Sequence, residues 1–269
     1  MTEEDKNKVE ALSDALSKTN AIMDTFLSIV KHDYKSEVEK IDFTKTATKI
    51  LKDQIKEETK VETNNSVTNK LATTEDPRSF MTMLQLEGDC LKCQRCKLSK
   101  TRNNVVFGEG VTDRPLVMVI GEGPGETEDI TGRPFVGKAG QFLDTWLKAI
   151  SLSRETNTYI ANIVKCRPPQ NRDPEIDEKE NCFGYLKQQI ALIKPQAILC
   201  LGKPASIKMT GLEESMSTLH GKCHFYDGIP TICTYHPAAV LRDMSLKRPV
   251  WEDLQKLARL LNLEYGKRK

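Results

Sequence analysis

Two residue types are missing from the first part of this chain of 269 residues. Residues 1–80 contain neither glycine nor cysteine and only one proline, Pro77, whereas the whole chain has 15 glycines and 8 cysteines. Residues of the types that commonly act in catalysis or bind metals are scarce in this part, which argues against a catalytic role for it. The abrupt change in composition predicts a boundary between one domain at 1–80 and another at 81–269.

Long apolar runs are also missing. No stretch approaches the ~18 consecutive apolar residues of a membrane-spanning helix, so we expect no insertion into a membrane. The first ten residues have neither the basic start nor the apolar core of a secretory signal, which favours a cytoplasmic, thiol-reducing location. In such a compartment the eight cysteines need an explanation other than a disulfide framework.

Charge is nearly balanced over the whole chain, but its two parts differ in sign. Residues 1–80 hold 13 Lys and Arg against 16 Asp and Glu, and residues 81–269 hold 27 against 22. An acidic part therefore precedes a basic one, but the charge by itself identifies no partner.

The acidic part has a helical pattern followed by a polar stretch. Apolar residues recur at the three- and four-residue spacing of an amphipathic helix at Val9, Leu12, Leu16, Met23, Phe26, Leu27 and Val30. Such a helix could dock on a partner protein. Residues 57–76 are poor in large apolar side chains and are typical of a linker. We therefore interpret residues 1–80 as a helical and partly disordered extension.

Short apolar runs alternate with helical patterns after residue 81. Strands are predicted at 115–120, 158–164, 196–201 and 229–234, and helices at 137–150, 175–193, 204–210 and 250–263. Strands that alternate with helices pair in parallel and are covered on both faces. The pattern predicts an α/β domain with its ligand site at the carboxyl ends of the strands.

A glycine-rich loop, GEGPG at residues 121–125, directly follows the first of these strands. Dinucleotide binding requires a different glycine spacing and a helix that opens at once. The acidic residues Glu126, Glu128 and Asp129 would also repel phosphates. A structural turn is an alternative, but the pattern favours a catalytic loop whose backbone N–H groups approach a substrate.

His236 follows the last predicted strand, and Pro237 comes next. Because proline ends a strand, His236 is expected at the carboxyl edge of the sheet, beside the 121–125 loop. A single histidine in this position is equally compatible with a structural role.

Five cysteines are spaced as a group, namely Cys90, Cys93, Cys96, Cys166 and Cys182. One C-x2-C pair with the two later cysteines gives four thiolates, which suit zinc or an iron–sulfur cluster. A single tight pair with two distant cysteines favours the cluster, but the spacing does not decide whether Cys90 or Cys96 is surplus. Cys200 and Cys233 lie inside apolar strands and are expected to pack as small hydrophobic residues.

Several segments in a fixed order resemble the family 4, iron–sulfur-containing uracil-DNA glycosylases, over about residues 93–261. The matching segments are CQRC (93–96), VFGEG (106–110), GEGPGETED (121–129), TGRPFVG (131–137), NIVKCRPP (162–169) and YHPAAVL (235–241). Each segment is weak evidence by itself, but their order and spacing together are specific. Residues 1–80 lie outside the resemblance.

The resemblance implies a fold, an activity and a cofactor. The fold is a three-layer α/β/α sandwich around a short parallel sheet, and the activity is hydrolytic removal of uracil from DNA, the first step of base excision repair. The cofactor is a [4Fe–4S] cluster bound by Cys93, Cys96, Cys166 and Cys182, which leaves Cys90 spare. The expected partner is uracil-containing DNA, single- or double-stranded, and we expect a monomer.

The resemblance also implies roles in stabilising the leaving base. His236 would donate a hydrogen bond to uracil O2 as negative charge develops there. The loop at Gly121, Glu122 and Gly123 would contact the substrate through its backbone. Phe135 would stack on the base after it leaves the duplex.

Further roles concern base selection and water. Asn162 would recognise O4 and N3–H of uracil through its amide, and Glu128 would exclude the methyl group of thymine. Gly123 stands where family 1 enzymes have an aspartate that activates water. Glu122 is therefore the first candidate for orienting water, and Asn171 is the second.

DNA phosphates are expected to contact basic residues near these loops, namely Lys165, Arg167, Arg172, Arg242, Lys247 and Arg248. Leu241 is a candidate wedge for the space that the flipped base leaves. Two competing hypotheses are a non-catalytic iron–sulfur electron carrier and a zinc-containing nucleic-acid-binding module. Neither would need His236 or Asn162.

Overall fold

The structure is a computed structural model, and it describes residues 82–265. The amphipathic helix and the linker predicted within residues 1–80 lie outside the described residues. Both stay predictions, as does the division of the chain into domains at residue 80.

The first helix, α1, spans Met83–Leu91 and was not expected from the sequence pattern. Thr82 caps it, because the Thr82 hydroxyl accepts the N–H of Gln85 at 3.2 Å while the Gln85 side chain accepts the N–H of Thr82 at 2.8 Å. Such a cap stabilises a helix by about 0.5–2 kcal/mol. The segment that carries the first cysteines therefore has a fixed start.

The other helices are α2 (Glu126–Thr131), α3 (Lys138–Ala149), α4 (Ile176–Ile193), α5 (Lys203–Thr210), α6 (Met216–Leu219), α7 (Pro237–Arg242) and α8 (Lys247–Leu260). Short 3₁₀ turns occur at Lys97–Lys100, Pro169–Asn171 and Met244–Leu246. The helices predicted at 137–150, 175–193 and 204–210 are confirmed. Helix α8 begins before the predicted residue 250, because Pro249 is tolerated in the first turn of a helix.

The strands are β1 (Glu109–Gly110), β2 (Val117–Gly121), β3 (Thr158–Asn162), β4 (Ala197–Leu201), β5 (Cys223–Tyr226) and β6 (Ile229–Thr234). They form a six-stranded sheet in the order β1-β3-β2-β4-β6-β5. The four inner strands pair in parallel, as predicted. The expectation of a wholly parallel sheet is wrong at its edges, where β1 and β5 pair antiparallel.

The antiparallel strand β5 is explained by the turn that joins it to β6. Asp227 and Gly228 both have positive φ, 46° and 79°, as a two-residue hairpin turn requires. An Asp-Gly pair is a recognised hairpin signal, so this strand was accessible from the sequence.

Apolar side chains of the inner strands point alternately to two helical layers. Met118 and Ile120 pack in a buried cluster with residues of α1, α4 and α5. Val117 and Val119 pack in a second cluster with residues of α3, α7 and α8. The predicted three-layer α/β/α sandwich is therefore confirmed. None of the helices between residues 82 and 265 has the length and apolar character that crossing a membrane requires.

The four parallel strands end at a common edge of the sheet. They end at Gly121, Asn162, Leu201 and Thr234. Because ligands of open α/β sheets bind outside the carboxyl ends of the strands, this edge is the expected place of a site.

Candidate active site

A cleft of about 640 Å³ lies at the carboxyl ends of the parallel strands. All four strand ends contribute to its lining, through residues 122–125, Asn162, residues 201–203 and residues 235–236. The sequence-predicted residues that line it are Glu122, Gly123, Glu128, Phe135, Asn162, Asn171, Arg172, His236 and Arg242. The fold thus brings together side chains that are far apart along the chain.

His236 lines the cleft and is oriented by the helix that it begins. Its Nδ1 accepts the backbone N–H of Ala238 at 3.1 Å, at the start of α7. The hydrogen bond at one ring nitrogen decides which nitrogen carries the proton. Because Nδ1 is an acceptor, the proton of the neutral ring is on Nε2, which is left as a donor.

The His236 ring is neutral over most of the pH range. Burial lowers the pKa of His236 to about 4, and the positive charge of Arg242 acts in the same direction, whereas Glu128 opposes it. The backbone of Gly202 passes close by, with φ of +84°, and a Cβ there would lie 3.1 Å from the Cβ of His236. Glycine at position 202 therefore suits both the local conformation and the space that His236 needs.

Asn162 ends β3 and is only 1% exposed. Its backbone oxygen accepts a hydrogen bond from Lys165 Nζ at 2.9 Å. Its side-chain Oδ1, in contrast, is buried and has no hydrogen-bond partner among the described residues. A buried acceptor without a partner costs about 1–3 kcal/mol, which points to a ligand as the missing partner.

Gly121, at the end of β2, makes room for the side chains of the cleft. A Cβ at this position would lie 2.4 Å from Asn162 Oδ1 and 2.5 Å from Cζ of Phe135. Such distances are shorter than van der Waals contact allows, so a larger residue would displace both side chains. Gly121 does not itself line the cleft, and the structure places it against these two side chains.

Phe135 has a φ of +53°, which is strained for a bulky residue. Arg154 holds it there by donating to the carbonyl oxygens of Pro134 at 3.0 Å and of Phe135 at 2.9 Å. Helix α3 approaches so closely that a Cβ at Gly140 would lie 1.9 Å from the Phe135 carbonyl oxygen. The rings of Phe135 and His236 have centroids 5.7 Å apart.

Arg154 and Gly140 were not identified from the sequence. The role of Gly140 could have been inferred, because a glycine inside an otherwise regular helix often marks a close approach of another segment.

The Glu122 carboxylate lies in a partly buried position in the cleft. Its Oε1 is buried and accepts no hydrogen bond from the described residues, and it forms an ion pair with Lys179 Nζ at 3.5 Å. Burial and the negative charge of Asp173 raise the pKa of Glu122 above its ordinary value, whereas Lys179 lowers it. Asp173 also lines the cleft and was not identified from the sequence.

The Glu128 carboxylate is held by three backbone N–H groups. Gly125 donates at 3.1 Å, Val136 at 2.9 Å and Gly137 at 2.8 Å. These bonds connect the 121–125 loop with the segment that contains Phe135. Glu128 is therefore a fixed part of the cleft wall.

Asn171 and two arginines lie at one side of the cleft. Asn171 has a φ of +56°, and its Oδ1 accepts a hydrogen bond from Arg167 Nε at 2.7 Å. Arg172 donates two hydrogen bonds, at 2.9 and 2.7 Å, to the fully buried carboxylate of Glu178. The charge of Arg172 is therefore compensated within the protein.

Exposed apolar and basic side chains lie at the end of α7 and the start of α8. Leu241, near the end of α7, is 45% exposed, and Arg242 and Lys247 follow it at the surface. Lys203, at the start of α5, lines the cleft and was not identified from the sequence. Lys165 is only 1% exposed, so the expectation that it contacts DNA phosphates is wrong.

A second, smaller cavity lies between α1, the 97–100 turn and α4. It is lined by all five grouped cysteines, namely Cys90, Cys93, Cys96, Cys166 and Cys182. Arg102 donates a hydrogen bond to Cys166 Sγ, and the backbone N–H of Lys165 donates one to Cys182 Sγ, both at 3.2 Å. Between residues 82 and 265, no three His, Cys, Asp or Glu side chains are arranged to hold a single metal ion.

Two cysteines on inner strands pack as small hydrophobic residues, as expected. Cys200 and Cys233 are fully buried and lie opposite each other on β4 and β6. Their role in packing is confirmed.

Comparison with known proteins defines the class to which this fold and cleft belong. Residues 107–255 match the model of the uracil DNA glycosylase superfamily. The matched range contains the four parallel strands and the loops that line the cleft, so the chain is a member of this superfamily.

Curated relatives narrow the class. A type-4 uracil-DNA glycosylase of Saccharolobus solfataricus is 44% identical over 180 residues, which are 64% of this chain and 82% of the relative. One of Thermotoga maritima is 44% identical over 177 residues, 64% of this chain and 91% of the relative. One of Archaeoglobus fulgidus is 38% identical over 180 residues, covering 64% and 89%. The chain belongs to the type-4 uracil-DNA glycosylases.

Proposed function

We propose that this protein hydrolyses the N-glycosidic bond between uracil and deoxyribose in single- or double-stranded DNA and so begins base excision repair. One observation carries the proposal. Asn162, whose Oδ1 has no partner among the described residues, and the neutral His236 ring line the same cleft as the strained Phe135. A non-catalytic electron carrier or nucleic-acid-binding module would need none of these three features, and membership of this family does not favour either.

His236 stabilises the leaving base in this proposal. When the bond from C1′ to N1 breaks, positive charge develops on the sugar and negative charge on the base. The Nε2–H of His236 donates a hydrogen bond to uracil O2, and backbone N–H groups of Glu122 and Gly123 add to it. Fixed donors in a site shielded from water act most strongly on developing charge, and the low pKa of His236 keeps the ring in its neutral, oriented form.

Asn162 selects the base. Its amide N–H donates to O4 of uracil, and its Oδ1 accepts N3–H, which supplies the partner that Oδ1 lacks among the described residues. Cytosine presents a donor at position 4 and an acceptor at N3, so it leaves polar groups of the site unpaired. Thymine differs by one methyl group, and the immobile Glu128 side chain forms the wall that rejects it.

Glu122 orients the attacking water. Its buried Oε1 has accepting capacity left, and the group lies in the cleft at the end of β2. Asn171 is the second candidate, although its Oδ1 already accepts from Arg167.

The proposed DNA contacts involve side chains in and near the cleft. The uracil must leave the stacked duplex before its bond is accessible, and Phe135 then stacks on it. Arg167, Arg172, Arg242 and Lys247 are assigned to phosphates, and Leu241 enters the space left in the duplex. The exposed cations Arg242 and Lys247 are expected to contribute more than Arg172, which is already paired with Glu178. We expect the protein to act as a monomer in the cytoplasm.

The five-cysteine cavity fits an iron–sulfur cluster by the chemistry of its donors. Its potential ligands are all sulfur, and two of these sulfurs accept N–H hydrogen bonds, a feature that tunes such clusters. A cluster of four irons also spreads its ligands farther apart than one zinc ion does. We assign Cys93, Cys96, Cys166 and Cys182 as ligands of a [4Fe–4S] cluster. When bound, the cluster would cross-link α4 to the two loops that carry the other ligands.

The activity is tested with a uracil-containing oligonucleotide, by measuring free uracil and alkali-labile sites. We expect His236→Ala to lower kcat/KM by ~10²–10³, the usual effect of losing one such donor. Asn162→Ala should lower it by ~10–10². His224→Ala is the matched control, since His224 lies on β5 and bonds the Leu219 carbonyl outside the cleft. Iron-loaded protein that releases no uracil would refute the proposed function.

A further inference from the structure

Cys90 lies in the same cavity as the four proposed cluster ligands, although the family pattern leaves it without a role. It is part of α1, is only 1% exposed, and lines this cavity together with Cys93, Cys96, Cys166 and Cys182. The cavity therefore holds one thiol more than a four-iron cluster requires.

Cys90 and Cys96 are equally far from Cys93 along the chain, although Cys90 lies in α1 and Cys96 has an extended backbone. The spacing from Cys90 to Cys93 equals that from Cys93 to Cys96, so the chain contains two overlapping C-x2-C pairs that share Cys93. The first pair is closed by a hydrogen bond from the Cys93 N–H to the Cys90 carbonyl oxygen at 3.1 Å. If Cys96 is lost, one complete pair remains, whereas loss of Cys93 destroys both.

The cations beside the cavity also act on Cys90. The buried ammonium group of Lys165 acts electrostatically on Cys90, Cys166 and Cys182. The Arg102 guanidinium acts on Cys90 as well as on Cys93 and Cys166. Burial raises the pKa of Cys90 to about 12 and Lys165 opposes this shift, so it is iron binding that would have to displace the proton.

We propose that Cys90 is a reserve ligand, which replaces Cys96 on the cluster when Cys96 is lost. Where Cys96 is absent, the Cys90 thiol would give its proton to solvent, and its thiolate would take the iron coordination position that Cys96 no longer fills. No electron is transferred. Cys96 is the member of the set that can be replaced, because it is less buried than Cys90 and belongs to one pair only. This inference rests on the proposed cluster.

The test measures iron, acid-labile sulfide and the visible and electron paramagnetic resonance spectra of full-length protein purified without oxygen. Alanine is the replacement throughout, because a serine oxygen can itself bind iron. We expect C96A to keep at least about half of the wild-type iron, with a changed spectrum. C90A/C96A and C93A should each fall below about a tenth. C90A alone should match wild type in iron content and spectrum.

The matched control is C96A/C223A, because Cys223 lies on β5 and outside the cavity. It should behave as C96A alone. If wild type contains iron but C96A loses as much iron as C90A/C96A, Cys90 is not a reserve ligand. The cluster assignment would still hold. Iron loss in C90A alone would also overturn it, because Cys90 would then be a resident ligand or needed for folding. A wild type without iron would overturn both proposals.

Discussion

The Nζ of Lys165 donates a hydrogen bond of 2.9 Å to the backbone oxygen of Asn162. The backbone N–H of the same lysine donates to Cys182 Sγ at 3.2 Å. One buried residue thus connects the cysteine-lined cavity with the end of β3, where the Asn162 amide is located. A buried cation must be compensated by hydrogen bonds, and Gln189 Oε1 supplies a second acceptor at 2.6 Å.

Lys165→Met tests this connection. The substitution keeps the length of the side chain but leaves the Asn162 and Gln189 oxygens without their donor, at about 1–3 kcal/mol for each. We expect Tm to fall by roughly 5–10 °C and kcat/KM for uracil release to fall as Asn162 shifts. Lys100→Met, at an exposed position, is the control and should change neither. A Lys165→Met protein with wild-type Tm would contradict this account.

The pKa of His236 leads to a prediction about the pH dependence of activity. Since the neutral ring is the active form and its pKa is about 4, kcat/KM should not fall near pH 6.5, where an ordinary histidine titrates. The decrease assigned to His236 should come only as the pH approaches about 4. A decrease centred near pH 6.5 that disappears in His236→Gln would show that the ring is charged more easily than its burial implies.

The same residue affects stability. Because the folded pKa of about 4 lies below the ordinary histidine pKa of about 6.5, the unfolded chain takes up a proton at pH values where the folded protein does not. The stability associated with neutral His236 is therefore fully present above pH 6.5 and is lost as the pH falls towards about 4, by about 3 kcal/mol in total. The difference in unfolding free energy between wild type and His236→Gln, followed over this range, measures it.

Gly140→Ala tests the placement of Phe135. An alanine Cβ would lie 1.9 Å from the Phe135 carbonyl oxygen, so either Phe135 or helix α3 must move, and we expect at least a tenfold loss of uracil release. The matched control is Gly184→Ala in α4, where nothing lies within 4 Å of the added Cβ. That substitution should stabilise the helix by roughly 0.5–1 kcal/mol. Wild-type activity of Gly140→Ala would show that Phe135 need not be held in place.

Leu241→Ala tests the wedge. Only duplex DNA has a space to fill when the base leaves, so the substitution should lower uracil release from double-stranded substrate by about tenfold. Activity on single-stranded substrate should change little. Leu212→Ala is the control, because Leu212 has the same 45% exposure and lies in the loop between α5 and α6. Equal losses on both substrates would assign Leu241 to packing instead.

The acidic part is predicted to be dispensable for catalysis. A fragment of residues 81–269 keeps Thr82, which caps α1, and the whole matched family range of 107–255. We expect its kcat/KM for uracil release to be within about twofold of that of the full chain, because the cleft residues that the structure describes lie between Glu122 and Arg242. A folded, iron-loaded fragment without activity would refute the assignment of residues 1–80 as an accessory extension.

The sequence by itself determined the inner strands, the main helices and the loops of the cleft. Strands and helices were accessible because buried runs and amphipathic periods are local properties of the chain. His236 and the 121–125 loop were accessible because the carboxyl ends of parallel strands meet at a common edge. The antiparallel edges were missed, although the Asp227-Gly228 turn gave a local signal for one of them.

Only the tertiary structure decided how these residues work together. The neutrality of His236 depends on burial by distant segments, and the missing partner of Asn162 Oδ1 depends on the packing around Gly121. The sequence led us to expect Lys165 at the surface, but hydrogen bonds to Asn162 and Gln189 hold its ammonium group in the interior. The family resemblance likewise left Cys90 spare, whereas the fold places it in the cavity of the other four thiols. Burial and electrostatic surroundings are sums over contacts between distant residues, and therefore a local pattern cannot contain them.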